Sequence, residues 1–225
     1  MTMTPHSTLQ ELLTTRHSCR GFRPDPVPRP VIETILADAG RVPSWCNAQP
    51  WQVTVTSGEA TEAFRKVMLT AFDSESATTD FPPPSGYSGA RKARRQTCGL
   101  QLYEAVGIER ADKAGRTAQM RENYAFFGAP HVALITTAAE LGAYGALDCG
   151  GFITAFCLSA QSQGIATIPQ AALAFYADTV RAHFEIPEDQ LILAAISFGY
   201  RDDTHPANGF RTERATLAEM VDWRD

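Results

Sequence analysis

Arg16-His17-Ser18-Cys19-Arg20 and, further along, Pro43-Ser44-Trp45-Cys46-Asn47-Ala48-Gln49-Pro50-Trp51 are the two stretches that decide the reading of this chain. The first sets cations and a hydroxyl just beyond an amphipathic segment. The second sets a Ser, an Asn and a Gln in a Pro-bounded loop ahead of an alternating, strand-like run. Alone, the first stretch reads equally as a solvated helix end. Together the two suit one large ligand with an anionic tail and a flat head rich in hydrogen-bond acceptors.

Outward from these stretches, helical and strand-like patterns follow one another. Ser7-x-x-Gln10 has capping-box spacing and predicts a helix over 8–15, which leaves the basic cluster at its C-terminal end. Pro24, Pro26 and Pro28 force an extended segment. Pro30 then opens a second helix with Val31, Ile32, Ile35, Leu36 and Ala39 on one face, ended by Pro43. Residues 51–56 alternate as a strand and 59–72 read as an amphipathic helix. Residues 74–89, rich in Ser, Thr, Pro and Gly, are expected to be a mobile loop. Helices over 90–106, 112–124 and 177–184 and strands over 131–137, 165–168 and 191–198 complete the pattern. The helix over 90–106 begins with Arg91, Lys92, Arg94 and Arg95, charges that oppose its dipole. They read either as a solvated basic face or as a cationic rim for a phosphorylated nicotinamide cofactor or an acidic aromatic. Residues 141–163 are the longest apolar stretch. Asp148 and several glycines argue against a membrane span, and apolar character on most faces predicts a buried helix. Gly145, Cys149, Gly150 and Gly151 would admit close helix approach.

Composition narrows the class. A chain of 225 residues with 44% hydrophobic content fits one large globular domain over 1–225. The net charge of −5 gives no reason to expect nucleic acid or an anionic membrane as partner. Five cysteines without a Cys-x-x-Cys pair suggest neither a disulfide framework nor a metal site, and with no signal-peptide pattern the expected location is cytoplasmic. No Gly-x-Gly-x-x-Gly follows a strand, which disfavours a nicotinamide-binding Rossmann unit.

Flavin mononucleotide (FMN) meets the ligand description. Its phosphate prefers a forked guanidinium over a point charge. Its ribityl hydroxyls want small polar partners. Hydride enters the ring at N5, and the charge that develops near N1 and O2 wants a fixed cation.

The two motifs resemble those of the FMN-dependent nitroreductase superfamily, in its nitroaromatic-reducing branch. The first follows Arg-(Arg/His)-Ser-x-(Arg/Lys) with Phe22-Arg23-Pro24 after it. The second matches Pro-Ser-x-x-Asn-x-Gln-Pro-Trp at Pro43, Ser44, Asn47, Gln49, Pro50 and Trp51. The similarity runs from about Leu9 to Trp223. It implies an α+β fold, a central, mostly antiparallel sheet flanked by helices, in an intertwined homodimer with FMN at the subunit interface. Residues 141–163 would lie at the dimer centre, and 201–225 would extend onto the partner.

By the same resemblance, Arg16 and Arg20 would bind the phosphate-ribityl end and the N1/O2 edge, with Arg20 toward the ring. His17 and Ser18 would contact ribityl or phosphate oxygens. Pro43, Ser44 and Asn47 would reach the flavin from the other subunit, with Gln49 touching it or supporting the loop. A backbone N–H at the Ile168-Pro169-Gln170 turn, placed at Gln170, would donate to N5. Pro169 departs from the glycine common in relatives. Arg211 and Arg214 match the basic residues that hold the phosphate. Phe126-Phe127-Gly128-Ala129-Pro130 resembles the nitroaromatic branch. Phe126 and Phe127 are core or substrate-stacking residues, and Tyr87 and Tyr124 are further pocket candidates.

The implied activity is ping-pong hydride transfer through flavin N5, from NADPH or NADH to a small aromatic acceptor, without a side-chain nucleophile or metal. Dehalogenation, azoline oxidation and flavin fragmentation on the same fold, a non-catalytic flavin carrier, and a cofactor-free dimer remain as alternatives.

Overall fold

A computed structural model describes residues 4–224. Its centre is a four-stranded sheet in the order β1-β2-β4-β3, with every ladder antiparallel. The strands are β1 (Gln52–Ser57), β2 (His131–Ala138), β3 (Ala166–Gln170) and β4 (Gln190–Gly199). The α+β reading therefore holds.

Side-chain alternation explains the layers. On β2, Val132 and Leu134 face one core with α3 (Glu59–Ser74) and α7 (Ala177–Phe184), while Ala133 and Ile135 face the other with α2 (Arg29–Ala39) and α6 (Gly142–Ser162). A bulge on β4 skips Leu193 in the register, so even-numbered Ile192 lies in the first core but Ile196 and Phe198 in the second. Seven of the eight β2 residues are buried, as a central strand with both faces covered requires.

The remaining helices stand outside this sandwich. None of the residues of α1 (Pro5–Thr15), α4 (Gly89–Ala105) or α5 (Lys113–Arg121) is buried. The expected start of α1 is corrected by one turn: Thr4, not Ser7, is the N-cap, and its hydroxyl accepts from the Ser7 N–H (3.1 Å) with Pro5 in the first turn. Likewise α2 ends at Ala39 with Gly40 as cap, four residues before Pro43 reaches the loop.

Within one chain the helix over 141–163 is buried on one side only. α6 is long and apolar enough to cross a membrane by composition. In the fold it lays Cys149, Phe152, Phe156 and Ala160 on the sheet, and leaves Tyr144 (57% exposed) and Leu147 (67%) on the other side. Of its glycines, only Gly145 is crowded. A Cβ there would lie 2.8 Å from Leu141 Cβ and 2.9 Å from Thr137 Oγ1, so within the chain it admits close approach to β2 and the turn before the helix.

Residues 75–88 form the connection between α3 and α4. Its first half is tied down: Asp80 accepts from Arg181 Nη2 (2.8 Å) and from the Ile192 N–H (2.7 Å), and Thr78 bridges to Tyr176. Residues 82–88 are exposed.

Candidate functional site

The segment 16–20 runs beside edge strand β3. Ser18 makes a parallel bridge to Thr167, and the Cys19 N–H donates to the Thr167 carbonyl (3.0 Å). This pairing anchors the segment to the sheet edge. Cys19 goes into the core, where burial pushes its thiol up to about 11 and removes it as a nucleophile. Arg16, His17, Ser18 and Arg20 line a cleft of about 460 Å³.

The rest of that cleft comes from far along the chain: Leu13 and Thr14 of α1, Cys98 of α4, and Phe210, Arg211, Thr212 and Arg214 of the C-terminal segment. Sequence separation of nearly two hundred residues is closed by Asn208, which is 6% exposed. Its Oδ1 accepts the Arg20 N–H (2.7 Å), and its amide donates to the carbonyls of Gly21 (2.9 Å) and Asp202 (2.8 Å). Its own carbonyl accepts from Arg211 Nη1 (2.8 Å). Gly21 lets the tail come this close, since a Cβ there would stand 2.3 Å from His205 Cγ. Neither Asn208 nor Gly21 stands out in the sequence. The only local signal is that Pro206-Ala207-Asn208-Gly209 has turn composition.

The electrostatics of the cleft are one-sided. Arg16, Arg20, Arg211 and Arg214 all line it, and among the described residues none forms an ion pair. Arg20 stands 5.9 Å over the Phe210 ring, and burial lowers its pKa, though an arginine remains charged. His17 sits among these cations. Its Nδ1 lies 3.0 Å from the Thr15 carbonyl and must carry the proton, which leaves Nε2 as a buried acceptor without a partner. Burial, followed by the charges of Arg211, Arg201 and Arg16, lowers the His17 pKa and keeps the ring neutral. Four unneutralised guanidiniums and one orphaned acceptor call for a ligand with an anion at one end and hydroxyl donors beside it. The phosphate and ribityl chain of FMN have that donor and acceptor set.

The second motif is placed elsewhere. No residue of 43–51 lines this cleft. Trp45 to Asn47 form a single 3-10 turn in which Cys46 (φ 50°) and Asn47 (φ 58°) are left-handed, followed by Gln49 (φ 48°). Ser44 Oγ accepts the Gln49 N–H (2.9 Å), and the Gln49 amide lies 3.4 Å from the Asn47 carbonyl, so both residues shape the loop. Pro43, Asn47 and Gln49 are exposed. The Trp45 N–H donates to Asp148 of α6 (2.9 Å), fixing the loop beside the exposed face of that helix.

Other expected site residues fall in the core. Phe126 is fully buried and packs on Phe64, Phe127 is 5% exposed and Tyr124 6%, so none offers a free ring face to a substrate. For Phe126 and Phe127 the packing favours the core reading, and Tyr124 lies in the same cluster. Phe126 and Phe127 are required instead by the aromatic cluster under α3, and burial drives the Tyr124 hydroxyl up to about 12. Tyr87 remains half-exposed on the loop before α4, with the Arg95 guanidinium 5.3 Å over its ring. At the end of β3, Pro169 is exposed and Gln170 buried. The Gln170 amide donates to the Asn123 carbonyl (2.8 Å) and its Oε1 accepts from Ser197 (2.5 Å). Its side chain is thus committed to the scaffold. The C-terminal segment lies against α4 of the same chain, through Arg94 and Glu219 (2.8 Å).

Comparison with known proteins agrees with this geometry. Residues 13–200 match the model of the nitroreductase family. The chain is 40% identical over 213 residues to nitroreductase NfnB of Mycolicibacterium smegmatis, covering 94% of this chain and 91% of that protein. It is 34% identical to 4-nitrobenzoate reductase of Nocardioides sp. over 92% of this chain and 84% of that protein. The crystal structure of the FMN-dependent nitroreductase NfnB from Mycobacterium smegmatis, in complex with NADPH, superposes with a TM-score of 0.94 at 38% identity, covering 99% of this chain and 100% of that one. With both polar motifs in order, the basic cleft built and the match extending over most of its length, the chain belongs to the nitroreductase family.

Proposed function

We propose that this chain is a cytoplasmic, FMN-dependent NAD(P)H oxidoreductase that reduces nitroaromatic, quinone or similar flat acceptors. The observation that carries the reading is the convergence of Arg16, Arg20, Arg211 and Arg214, unpaired among the described residues, with the orphaned His17 Nε2 on one cleft. The names of the relatives, which include an FMN-dependent nitroreductase and a 4-nitrobenzoate reductase, support it. Five unpaired cysteines support a reducing compartment.

In this reading Arg211, Arg214 and Arg16 hold the phosphate by charge-assisted hydrogen bonds. Ser18 and the bare His17 Nε2 take ribityl hydroxyls. Arg20, its backbone held by Asn208 and its guanidinium over Phe210, would supply the cation for the N1/O2 edge. Bound flavin supplies reversible two-electron hydride chemistry at N5. The Gln170 backbone, beside Pro169, is the proposed donor to that atom, on a platform kept rigid by the Gln170 side-chain bonds. The net reaction consumes NAD(P)H and a proton, converts nitro to nitroso and releases water, and a second cycle gives the hydroxylamine. Donor and acceptor take turns at one face, which predicts parallel double-reciprocal plots.

The functional unit is a homodimer. The exposed apolar face of α6 at Tyr144 and Leu147 needs a cover, and a second copy supplies it. Three consecutive-region left-handed residues, Cys46, Asn47 and Gln49, hold the adjoining loop in a costly shape. A subunit seated on α6 receives Pro43, Ser44, Asn47 and Gln49 of that loop at its own flavin.

The test is the visible spectrum of the purified protein, followed anaerobically as NADPH and then NADH is added. A flavin spectrum that bleaches is the expected result. A protein that stays colourless after incubation with FMN, or a flavin that neither donor reduces, overturns the proposal.

A further inference from the structure

A second cavity, of about 1060 Å³, adjoins the cofactor cleft, with Cys98 lining both. It lies between α4, the connection that follows it and α5. Its cations come from all three: Arg95 from α4, Arg110 from the connection and Arg116 from α5. They face a single carboxylate in the lining, Glu104. Among the described residues, none of the three guanidiniums is in an ion pair. Arg116 is half-buried and positioned, because its Nε donates to the Asp112 carbonyl (3.2 Å) while its terminal nitrogens stay available. Leu100 and Tyr103 give the groove apolar wall between the charges.

Charge of this sign is local. The chain as a whole carries −5, so its general field repels anions and only a built cluster reverses that. The lining joins apolar side chains to three guanidiniums, each of which can take a carboxylate bidentately. Arg95 links this groove to the loop before α4, since the same guanidinium covers the Tyr87 ring.

We infer that Arg95, Arg110 and Arg116 form an anion-reading subsite that selects aromatic acceptors carrying a carboxylate over neutral ones. This specificity rests on the nitroaromatic reading above. The phosphate of NADPH offers related chemistry, and the experiment separates the two.

FMN-loaded wild type, Arg110→Ala and Arg116→Ala are assayed with 4-nitrobenzoate and with its neutral counterpart 4-nitrobenzamide. Benzoate binding is measured by calorimetry without any electron donor. Arg91→Ala removes a charge from the same helix outside the groove and serves as the control. Wild type and the control should favour 4-nitrobenzoate in kcat/KM by at least tenfold at low salt, with the preference shrinking as salt is raised. The two groove variants should lose that preference through 4-nitrobenzoate alone, with benzoate binding weakened to match. Equal losses on both acceptors, a wild type without preference, or a variant that raises KM for NADPH but not for NADH while keeping its acceptor preference overturns the inference. If wild type reduces neither acceptor, the nitroaromatic part of the functional reading fails, and calorimetry still decides whether the groove binds a carboxylate.

Discussion

Replacing Asn208 by alanine should loosen the cofactor cleft from a position that lines no part of it. The amide makes three hydrogen bonds, to the Arg20 N–H, the Gly21 carbonyl and the Asp202 carbonyl. The losses differ in kind. The Gly21 carbonyl keeps the Asp202 N–H (3.0 Å) and the Asp202 carbonyl keeps a long contact from the His205 N–H (3.4 Å). The Arg20 N–H has no second acceptor among the described residues. An orphaned, part-buried donor costs about 1–3 kcal/mol, and the two shared bonds about 0.5–1 kcal/mol each. A total of about 2–5 kcal/mol in a chain of this size corresponds to a melting point lower by roughly 4–20 °C. Because the Asn208 side chain ties the Arg20 backbone to the tail that carries Arg211 and Arg214, FMN affinity should fall by about tenfold or more, at roughly 1.4 kcal/mol per decade. Scanning calorimetry of the FMN-free protein and fluorescence titration with FMN measure the two effects. A variant that melts within about a degree of wild type and binds FMN as tightly refutes the argument that Asn208 joins the tail to the motif.

Two further outcomes follow from the same architecture. Gly21→Ala pushes a methyl group into the His205 ring and should cost about 1–3 kcal/mol of overpacking, with weaker FMN binding; an unchanged melting point and affinity would show that the tail can move away freely. His131 is 2% exposed, and its Nε2 accepts the Val27 N–H (2.9 Å), so the ring is held neutral and burial lowers its pKa below the ordinary 6.5. The unfolded chain then takes up a proton that the folded chain refuses, so stability should fall as pH drops below about 6.5 toward the lowered value. His17, with its pKa moved the same way, adds to this trend. Urea midpoints between pH 7.5 and 5 should show a shallower acid loss in His131→Gln than in wild type, and identical slopes would remove His131 as the cause.

Local patterns were legible wherever the chain solves its problem within a few residues. Alternation over 51–56 marked β1, the run 131–137 marked β2, and the proline at position 30 marked the start of α2. Capping at α1 was misread because Ser7 has the right spacing but Thr4 has the right position. Phe126 and Phe127 illustrate the other limit. A pair of aromatic residues before a Gly-Ala-Pro turn looks the same whether it faces a ligand or a core. Only the arrival of Phe64 from α3 against Phe126, within a cluster that also holds Phe127, settles that these rings are enclosed.

The residues alone carry the chemistry of the site: which of them bear forked cations and which bear small polar groups. Those properties belong to residue types and to spacing along a helix or strand, and they survive without knowledge of distant neighbours. Tertiary structure alone decided which of them meet. Arg16 and Arg20 are joined to Arg211 and Arg214 by one buried asparagine and one glycine that admits a histidine ring, contacts between segments nearly two hundred residues apart. It also decided that the 43–51 loop stands away from that cleft, and that α6 keeps one apolar face uncovered. Packing of this kind depends on the closure of long loops and on shape at contact distance, and no local pattern records either.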